Sequence, residues 1–128
     1  MQILFVEDNS SYADTLVSAV KDKFPEIAWD IVDNSSSAEA LLDKNYYDLI
    51  ILDLCMPSVP SGLEKDVQNG QQLFYYVQRL MPGTPIYILT GSELDSFATN
   101  LLRHGERIKL WGQQENSLPF YILEKMKP

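Results

Sequence analysis

Cysteine, basic residues and long apolar runs are all scarce in this chain of 128 residues. Cys55 is the single cysteine, which excludes an internal disulfide bond and a cysteine-based zinc site. Ten Lys and Arg residues stand against eighteen Asp and Glu residues, so the net charge is −8. The basic residues are not clustered, and binding to nucleic acid requires such clusters. The composition therefore disfavours direct nucleic-acid binding.

The apolar runs are too short for a transmembrane helix, and the N-terminus does not have the charged-then-apolar order of a signal peptide. We therefore expect a cytoplasmic protein with no membrane insertion. A hydrophobic content of 45% is enough for a core, and no long polar linker divides the chain. The sequence thus predicts a single domain over residues 1–128.

Short apolar runs alternate with segments of helical periodicity along most of the chain. The predicted strands cover residues 3–6, 28–32, 48–54, 86–90 and 107–110. Ser10 or Ser11 can cap the first predicted helix, and the serines of 35–37 cap the second. Three further helices are predicted over residues 70–80, 94–104 and 118–126. Because parallel strands need crossover connections, this alternation predicts a doubly wound α/β sheet with helices on both faces.

A polar stretch over residues 58–69 interrupts the alternation. It contains Pro60 and Gly62, so we predict an extended loop directly after the third strand. The alternative is a helix that begins at Ser61. That helix would include Gly70, at a cost of about 1 kcal/mol for the glycine.

Acidic residues end two of the apolar runs. Asp53 follows Ile-Ile-Leu at 50–52, and Glu7 and Asp8 follow Ile-Leu-Phe-Val at 3–6. Because the carboxyl ends of neighbouring parallel strands face the same crevice, we expect these three carboxylates to converge. Such a cluster repels itself unless a cation is present, and all-oxygen ligands with room for water suit Mg²⁺.

Further residues at the predicted strand ends follow a known order. Met56-Pro57 follows Asp53, Thr90-Gly91 follows the fourth strand, and Lys109 stands at the end of the fifth. With the acidic residues, they resemble the receiver domain of two-component response regulators over nearly the whole chain. The resemblance implies a flavodoxin-like (βα)5 fold, with a five-stranded parallel sheet in the order 2-1-3-4-5.

The resemblance also implies a role for each site residue. Asp53 is the implied phosphoacceptor, and Thr90 and Lys109 are implied to bind phosphoryl oxygens. The implied Mg²⁺ ligands are Glu7, Asp8, Asp53 and the backbone carbonyl of Cys55.

The implied function is signal transduction by phosphoryl transfer in a two-component system or phosphorelay. The phosphoryl group would come from the phosphohistidine of a sensor histidine kinase or of a histidine phosphotransfer protein. Phosphorylation would then change binding to a downstream protein whose identity the sequence does not indicate. We expect a monomer or weak dimer, and no enzyme activity beyond Mg²⁺-assisted self-phosphorylation and self-dephosphorylation.

Two positions depart from the family pattern. Glu106 occupies the position three before Lys109, where the family usually has an aromatic residue, and Leu110 replaces the usual proline. These departures leave open a receiver-fold interaction module with lost or non-standard phospho-switching. A metal-dependent phosphatase or nuclease on a similar sheet ranks last, because both expect a second acid two residues after the strand Asp, where this chain has Cys55.

Overall fold

A computed structural model of the protein describes residues 1–22, 24–53, 56–59, 65–90 and 108–112. The strands are β1 (Gln2–Val6), β2 (Ala28–Val32), β3 (Leu49–Asp53), β4 (Met56–Pro57), β5 (Lys65–Asp66), β6 (Ile86–Thr90) and β7 (Ile108–Gly112). The helices are α1 (Ser10–Lys21), α2 (Ser35–Lys44) and α3 (Val67–Leu80). Within these ranges, no helix combines the length and apolar character that crossing a membrane requires.

The main sheet is parallel throughout. Its strand order is β2-β1-β3-β6-β7, and each neighbouring pair runs in the same direction. β4 and β5 pair separately and are antiparallel. The predicted α/β fold with a parallel sheet is therefore confirmed, whereas the predicted helices over 94–104 and 118–126 lie outside the described residues.

The core consists of two layers, one on each face of the sheet. On one face, Phe5 and Ile51 belong to a buried cluster with residues of α1. On the other face, Leu4, Ile50 and Leu52 belong to a cluster with residues of α2 and α3. All five residues of β3 are buried, because helices cover both faces of this central strand. A carboxylate at the end of β3 is thus held at the edge of the core.

Asparagine residues cap the first two helices. The side chain of Asn9 accepts a hydrogen bond from the Tyr12 N–H at 3.1 Å, and that of Asn34 accepts one from the Ser37 N–H at 2.8 Å. The prediction that the helix caps are Ser10 or Ser11 and the serines of 35–37 is therefore wrong. Asn and Ser are similarly good N-caps, so local sequence could not choose between adjacent candidates.

The segment after Asp53 also differs from its prediction. β4 and β5 form an antiparallel pair, which we call the β4–β5 hairpin, and α3 begins directly after it at Val67. The extended loop predicted over 58–69 is therefore wrong for residues 65–69, which belong to β5 and α3, while residues 60–64 lie outside the described residues. The alternative helix from Ser61 is also wrong, because Lys65–Asp66 form a strand. Pairing with β4 places Lys65–Asp66 in a strand despite their polar character, and α3 then includes the buried Gly70.

The β4–β5 hairpin is attached to the first turn of α2. The backbone carbonyl of Ser58 accepts hydrogen bonds from the Ser36 N–H at 3.0 Å and from the Ser35 hydroxyl at 3.4 Å. Ser58 and the neighbouring Val59 are exposed. The hairpin thus presents a small apolar surface close in sequence to Asp53, and the start of α2 holds it there.

Candidate functional site

The carboxyl ends of β1 and β3 bring the predicted acidic residues together. Val6 lies opposite Leu52 in the sheet, so Glu7 and Asp53 follow at the next level of the two strands. The Glu7 N–H donates to the Val32 carbonyl at 2.9 Å, which extends the ladder between β1 and β2 by one residue. Glu7 and Asp53 are therefore positioned by backbone pairing.

These acids form a compact cluster. One carboxylate oxygen each from Glu7, Asp8 and Asp53 lies within 4.8 Å of the others. Glu7 is 2% exposed and Asp53 is 6% exposed, while Asp8 is half-buried. The predicted convergence of the three carboxylates is confirmed.

The electrostatics of the cluster favour a cation. Burial raises the pKa of Glu7 from 4.5 to about 9, and the charge of Asp53 adds to this effect. The Asn9 N–H, which donates to Glu7 Oε1 at 3.1 Å, lowers this pKa but does not cancel the rise. Glu7 therefore keeps a proton at neutral pH unless a positive charge replaces it.

This donor set fits Mg²⁺. Carboxylate oxygens are the ligands that Mg²⁺ prefers, and one half-buried member leaves room for the water that this ion retains. A divalent cation would also favour the charged form of Glu7, against the burial and the Asp53 charge that raise its pKa. Cys55, whose backbone carbonyl was predicted as a further ligand, lies outside the described residues.

Sequence reasoning did not assign a role to Asn9, which connects the cluster to α1. Its backbone N–H donates to Glu7, and its side-chain oxygen accepts from the Tyr12 N–H. The same residue therefore orients a cluster carboxylate and starts a helix. The available signal was an asparagine directly between an acidic pair and a helical segment, which is the usual composition of an N-cap.

A cleft of about 370 Å³ opens beside Glu7, between the first turns of α1 and α2. Its polar lining residues include Ser10, Asp14, Asp33, Asn34 and Ser37. The cleft lies on the β2 side of Glu7, and its acidic lining favours the approach of cations.

Thr90 and Lys109 occupy different levels of the sheet. Thr90 ends β6 and lies opposite Gly112, whereas Lys109 lies opposite Tyr87, three positions earlier. At about 3.3 Å per residue, this offset is about 10 Å along the strand. The prediction that Lys109 stands at the end of its strand is therefore wrong, because β7 continues to Gly112.

One known protein family matches most of this chain, including the acidic residues of the site. A model of the response regulator receiver domain matches residues 3–108, which include Glu7, Asp8, Asp53 and Thr90. The chain belongs to this family. It is a receiver domain of the type used in two-component signalling. The match ends one residue before Lys109.

One relative of this receiver domain is a response regulator receiver protein from Anaeromyxobacter sp. (strain Fw109-5). It is 28% identical over 102 residues, which cover 80% of this chain and 38% of the relative. The receiver domain therefore spans well under half of that relative's length.

Solved structures share the fold of this receiver domain. A CheY-like receiver domain protein from Methanospirillum hungatei JF-1 has a TM-score of 0.74 at 20% identity, covering 98% of this chain and 89% of that one. The Mn²⁺-bound form of response regulator Rcp1 has a TM-score of 0.73 at 18% identity, covering 98% and 90%. These similarities establish the CheY-like, flavodoxin-like fold.

Proposed function

We propose that Asp53 accepts a phosphoryl group from a phosphohistidine donor in a Mg²⁺-dependent reaction, and that this changes the binding of a protein partner. One observation carries the proposal: Asp53 ends a buried strand with carboxylate oxygens of Glu7 and Asp8 within 4.8 Å. A nucleophilic carboxylate beside two metal-binding carboxylates has the composition that phosphoryl transfer requires.

The proposed reaction is a single displacement at phosphorus. An oxygen of the Asp53 carboxylate forms a bond to phosphorus while the bond between phosphorus and the donor imidazole nitrogen breaks, and the imidazole keeps that electron pair. Glu7, Asp8 and Asp53 would hold Mg²⁺, with the Cys55 carbonyl as a further ligand. When bound, this ion supplies positive charge to the phosphoryl oxygens. The Mn²⁺ in the Rcp1 structure supports a divalent cation in this type of domain.

Thr90 and Lys109 complete the proposal on the β6 and β7 side. We propose that the Thr90 hydroxyl donates to one phosphoryl oxygen and that the Lys109 ammonium group neutralises another. The offset of Lys109 from the level of Thr90 requires this long side chain to extend towards the carboxyl end of β7. Its contribution should therefore be smaller than that of the acidic cluster.

The remaining parts of the family pattern are proposals as well. We propose that helices over 94–104 and 118–126 complete a (βα)5 unit, and that the domain acts in the cytoplasm as a monomer or weak dimer. Its donor would be a sensor histidine kinase or a histidine phosphotransfer protein. Its chemistry would be limited to its own phosphorylation and dephosphorylation.

A second candidate is an interaction module that keeps the receiver fold without the usual switch. The register of β7 favours this candidate, because it places Lys109 opposite Tyr87 and not at the level of Thr90. Glu106 and Leu110, which replace the usual aromatic residue and proline, point in the same direction. A phosphorylation assay separates the two candidates.

The test is intact-mass measurement after exposure to acetyl phosphate with Mg²⁺. We expect the mass to rise by one acid-labile phosphoryl group, and Asp53→Asn to prevent the rise. Asp22→Asn, at the exposed C-terminal end of α1, is the matched control and should be phosphorylated normally. An unchanged mass of the folded wild-type protein under saturating donor would reject phosphorylation and favour the interaction module.

A further inference from the structure

Tyr12 is attached to the acidic cluster through Asn9. Its backbone N–H donates to the Asn9 side chain at 3.1 Å, and the Asn9 N–H donates to Glu7 Oε1, also at 3.1 Å. Two consecutive hydrogen bonds therefore link the first turn of α1 to a carboxylate of the site. These hydrogen bonds fix the backbone of Tyr12 relative to the Glu7 carboxylate.

The ring of Tyr12 covers the same face of the sheet as the acceptor. It is half-buried and packs against the buried cluster that contains Phe5 and Ile51. Residues two apart in a strand share a face, so Ile51 and Asp53 project to the same side of β3. The ring thus lies on the α1 side of the crevice, on the face of the sheet to which Asp53 projects.

The surroundings of Tyr12 favour the protonated form of its hydroxyl. Burial raises the pKa of the Tyr12 hydroxyl, and the negative charges of Glu7 and Asp53 raise it further. The hydroxyl therefore stays protonated at neutral pH.

We propose that Tyr12 forms the α1 wall of the crevice and limits the access of water to a phosphoryl group on Asp53, so that it sets the lifetime of the phosphorylated state. This inference rests on the proposed function. In hydrolysis, the water oxygen bonds to phosphorus, and the bond from phosphorus to the Asp53 oxygen breaks. That oxygen keeps the electron pair, and the products are the Asp53 carboxylate and inorganic phosphate, which takes both water protons. A half-buried aromatic ring beside the acceptor removes one direction of water attack.

The lifetime test uses protein phosphorylated with acetyl phosphate, followed by removal of the donor and timed intact-mass measurements. We expect Tyr12→Ala to shorten the half-life several-fold and Tyr12→Phe, which keeps the ring, to restore most of it. Leu16→Ala is the matched control, because Leu16 is buried under the same helix without a predicted place at the site. Its half-life should stay close to that of the wild type.

A second measurement tests the position of the ring without phosphorylation. The protein is labelled with 3-fluorotyrosine, and Tyr12→Phe assigns one of the seven tyrosine signals in the ¹⁹F spectrum. We expect Mg²⁺ to shift the Tyr12 signal more than that of Tyr47, which precedes β3 at the opposite end of the sheet. This larger shift should be absent in Asp8→Ala.

The outcomes distinguish the inference from the proposed function. A half-life unchanged in Tyr12→Ala, or shortened equally in Leu16→Ala, overturns the inference while phosphorylation of Asp53 stands. A Tyr12 signal that does not respond to Mg²⁺ while other tyrosines do also overturns it. A wild-type protein that takes up no phosphoryl group rejects the proposed function, and the inference is rejected with it.

Discussion

The two halves of the sheet's carboxyl end differ in how they are organised. On β1 and β3, the strands end at the same level, and three carboxylates meet within 4.8 Å. On β6 and β7, Thr90 ends its strand, but β7 continues to a level three residues beyond Lys109. The carboxylates on β1 and β3 are close enough together to bind one metal ion without help from other strands. On β6 and β7, by contrast, the site needs Lys109, whose backbone lies three positions before the level of Thr90. We infer that the acidic cluster on β1 and β3 determines whether phosphorylation occurs. Thr90 and Lys109, on β6 and β7, would then determine its rate.

The largest effect should come from removing the half-buried acid. Asp8→Ala should abolish phosphorylation and the stabilisation by Mg²⁺, which amounts to about 2.7 kcal/mol at 100 times the dissociation constant. Because one repelling charge is lost, the metal-free variant should be at least as stable as the wild type. Thermal melts with EDTA and with Mg²⁺ measure this effect. Asp22→Ala is the control, and a wild-type melting temperature indifferent to Mg²⁺ would contradict the account.

The protonation of Glu7 predicts an unusual pH dependence for the metal-free protein. Its folded-state pKa of about 9 lies above the ordinary value of 4.5, so the folded state retains a proton that the unfolded state releases. The retained proton stabilises the folded state fully below about pH 4.5, and this stabilisation is lost as the pH rises to about 9. Across this window the free energy of unfolding should fall by at most about 1.4 kcal/mol per pH unit.

Glu7→Gln removes the titrating group and should flatten this part of the curve. Urea unfolding in EDTA at several pH values provides the measurement. Identical slopes for wild type and Glu7→Gln would show that Glu7 does not hold the proton.

A moderate effect is expected on the other side of the site. Lys109→Ala should slow phosphorylation by acetyl phosphate without abolishing it, because the lysine starts from the level of Tyr87. Stabilisation by Mg²⁺ should be unchanged, since the acidic cluster is intact. Rates of mass increase for Lys109→Ala and Asp8→Ala, measured side by side, test the comparison. Complete loss of phosphorylation in Lys109→Ala would mean that Lys109 is required for the reaction as much as the acidic cluster is.

The smallest effect on phosphorylation by acetyl phosphate should come from the β4–β5 hairpin. Replacing residues 58–64 with a two-residue turn removes the hydrogen bonds to the Ser58 carbonyl, each worth about 1 kcal/mol. The fold and phosphorylation by acetyl phosphate should remain, because a small donor enters the crevice alone. Transfer from a phosphorylated histidine phosphotransfer protein should change, because that donor must dock around the crevice.

Val59→Ser keeps the length of the hairpin and tests its exposed apolar side chain separately. If a hairpin variant changes phosphorylation by acetyl phosphate and by the phosphotransfer protein equally, the hairpin has no role in selecting partners. Unfolding of the shortened protein would mean that the hairpin contributes to the core.

The acidic half could be predicted from sequence for a simple reason. Asp53 and Glu7 interrupt apolar runs, so they mark both the strand ends and the site. No such mark exists for β7, where Ile-Lys-Leu-Trp at 108–111 contains no residue that would end a strand at Lys109. Its register depends on pairing with β6, which local sequence does not encode.

The start of α3 was beyond local prediction for a related reason. The residues before Val67 are polar and are typical of a loop, yet backbone pairing between β4 and β5 holds them in a strand. Such pairing is a tertiary interaction between two segments that are separated in the sequence. It overrides the intrinsic preference of single residues.

The most direct test of the central claim is to locate the phosphoryl group on the chain. Protein treated with acetyl phosphate and Mg²⁺ is reduced with borohydride, which converts an aspartyl phosphate to homoserine, and the peptides are then sequenced by mass spectrometry. Our account predicts homoserine at position 53 in the wild type and none in Asp8→Ala. Homoserine at another aspartate, or its formation at position 53 without Mg²⁺, would contradict the claim that the acidic cluster forms a Mg²⁺-dependent phosphoryl site.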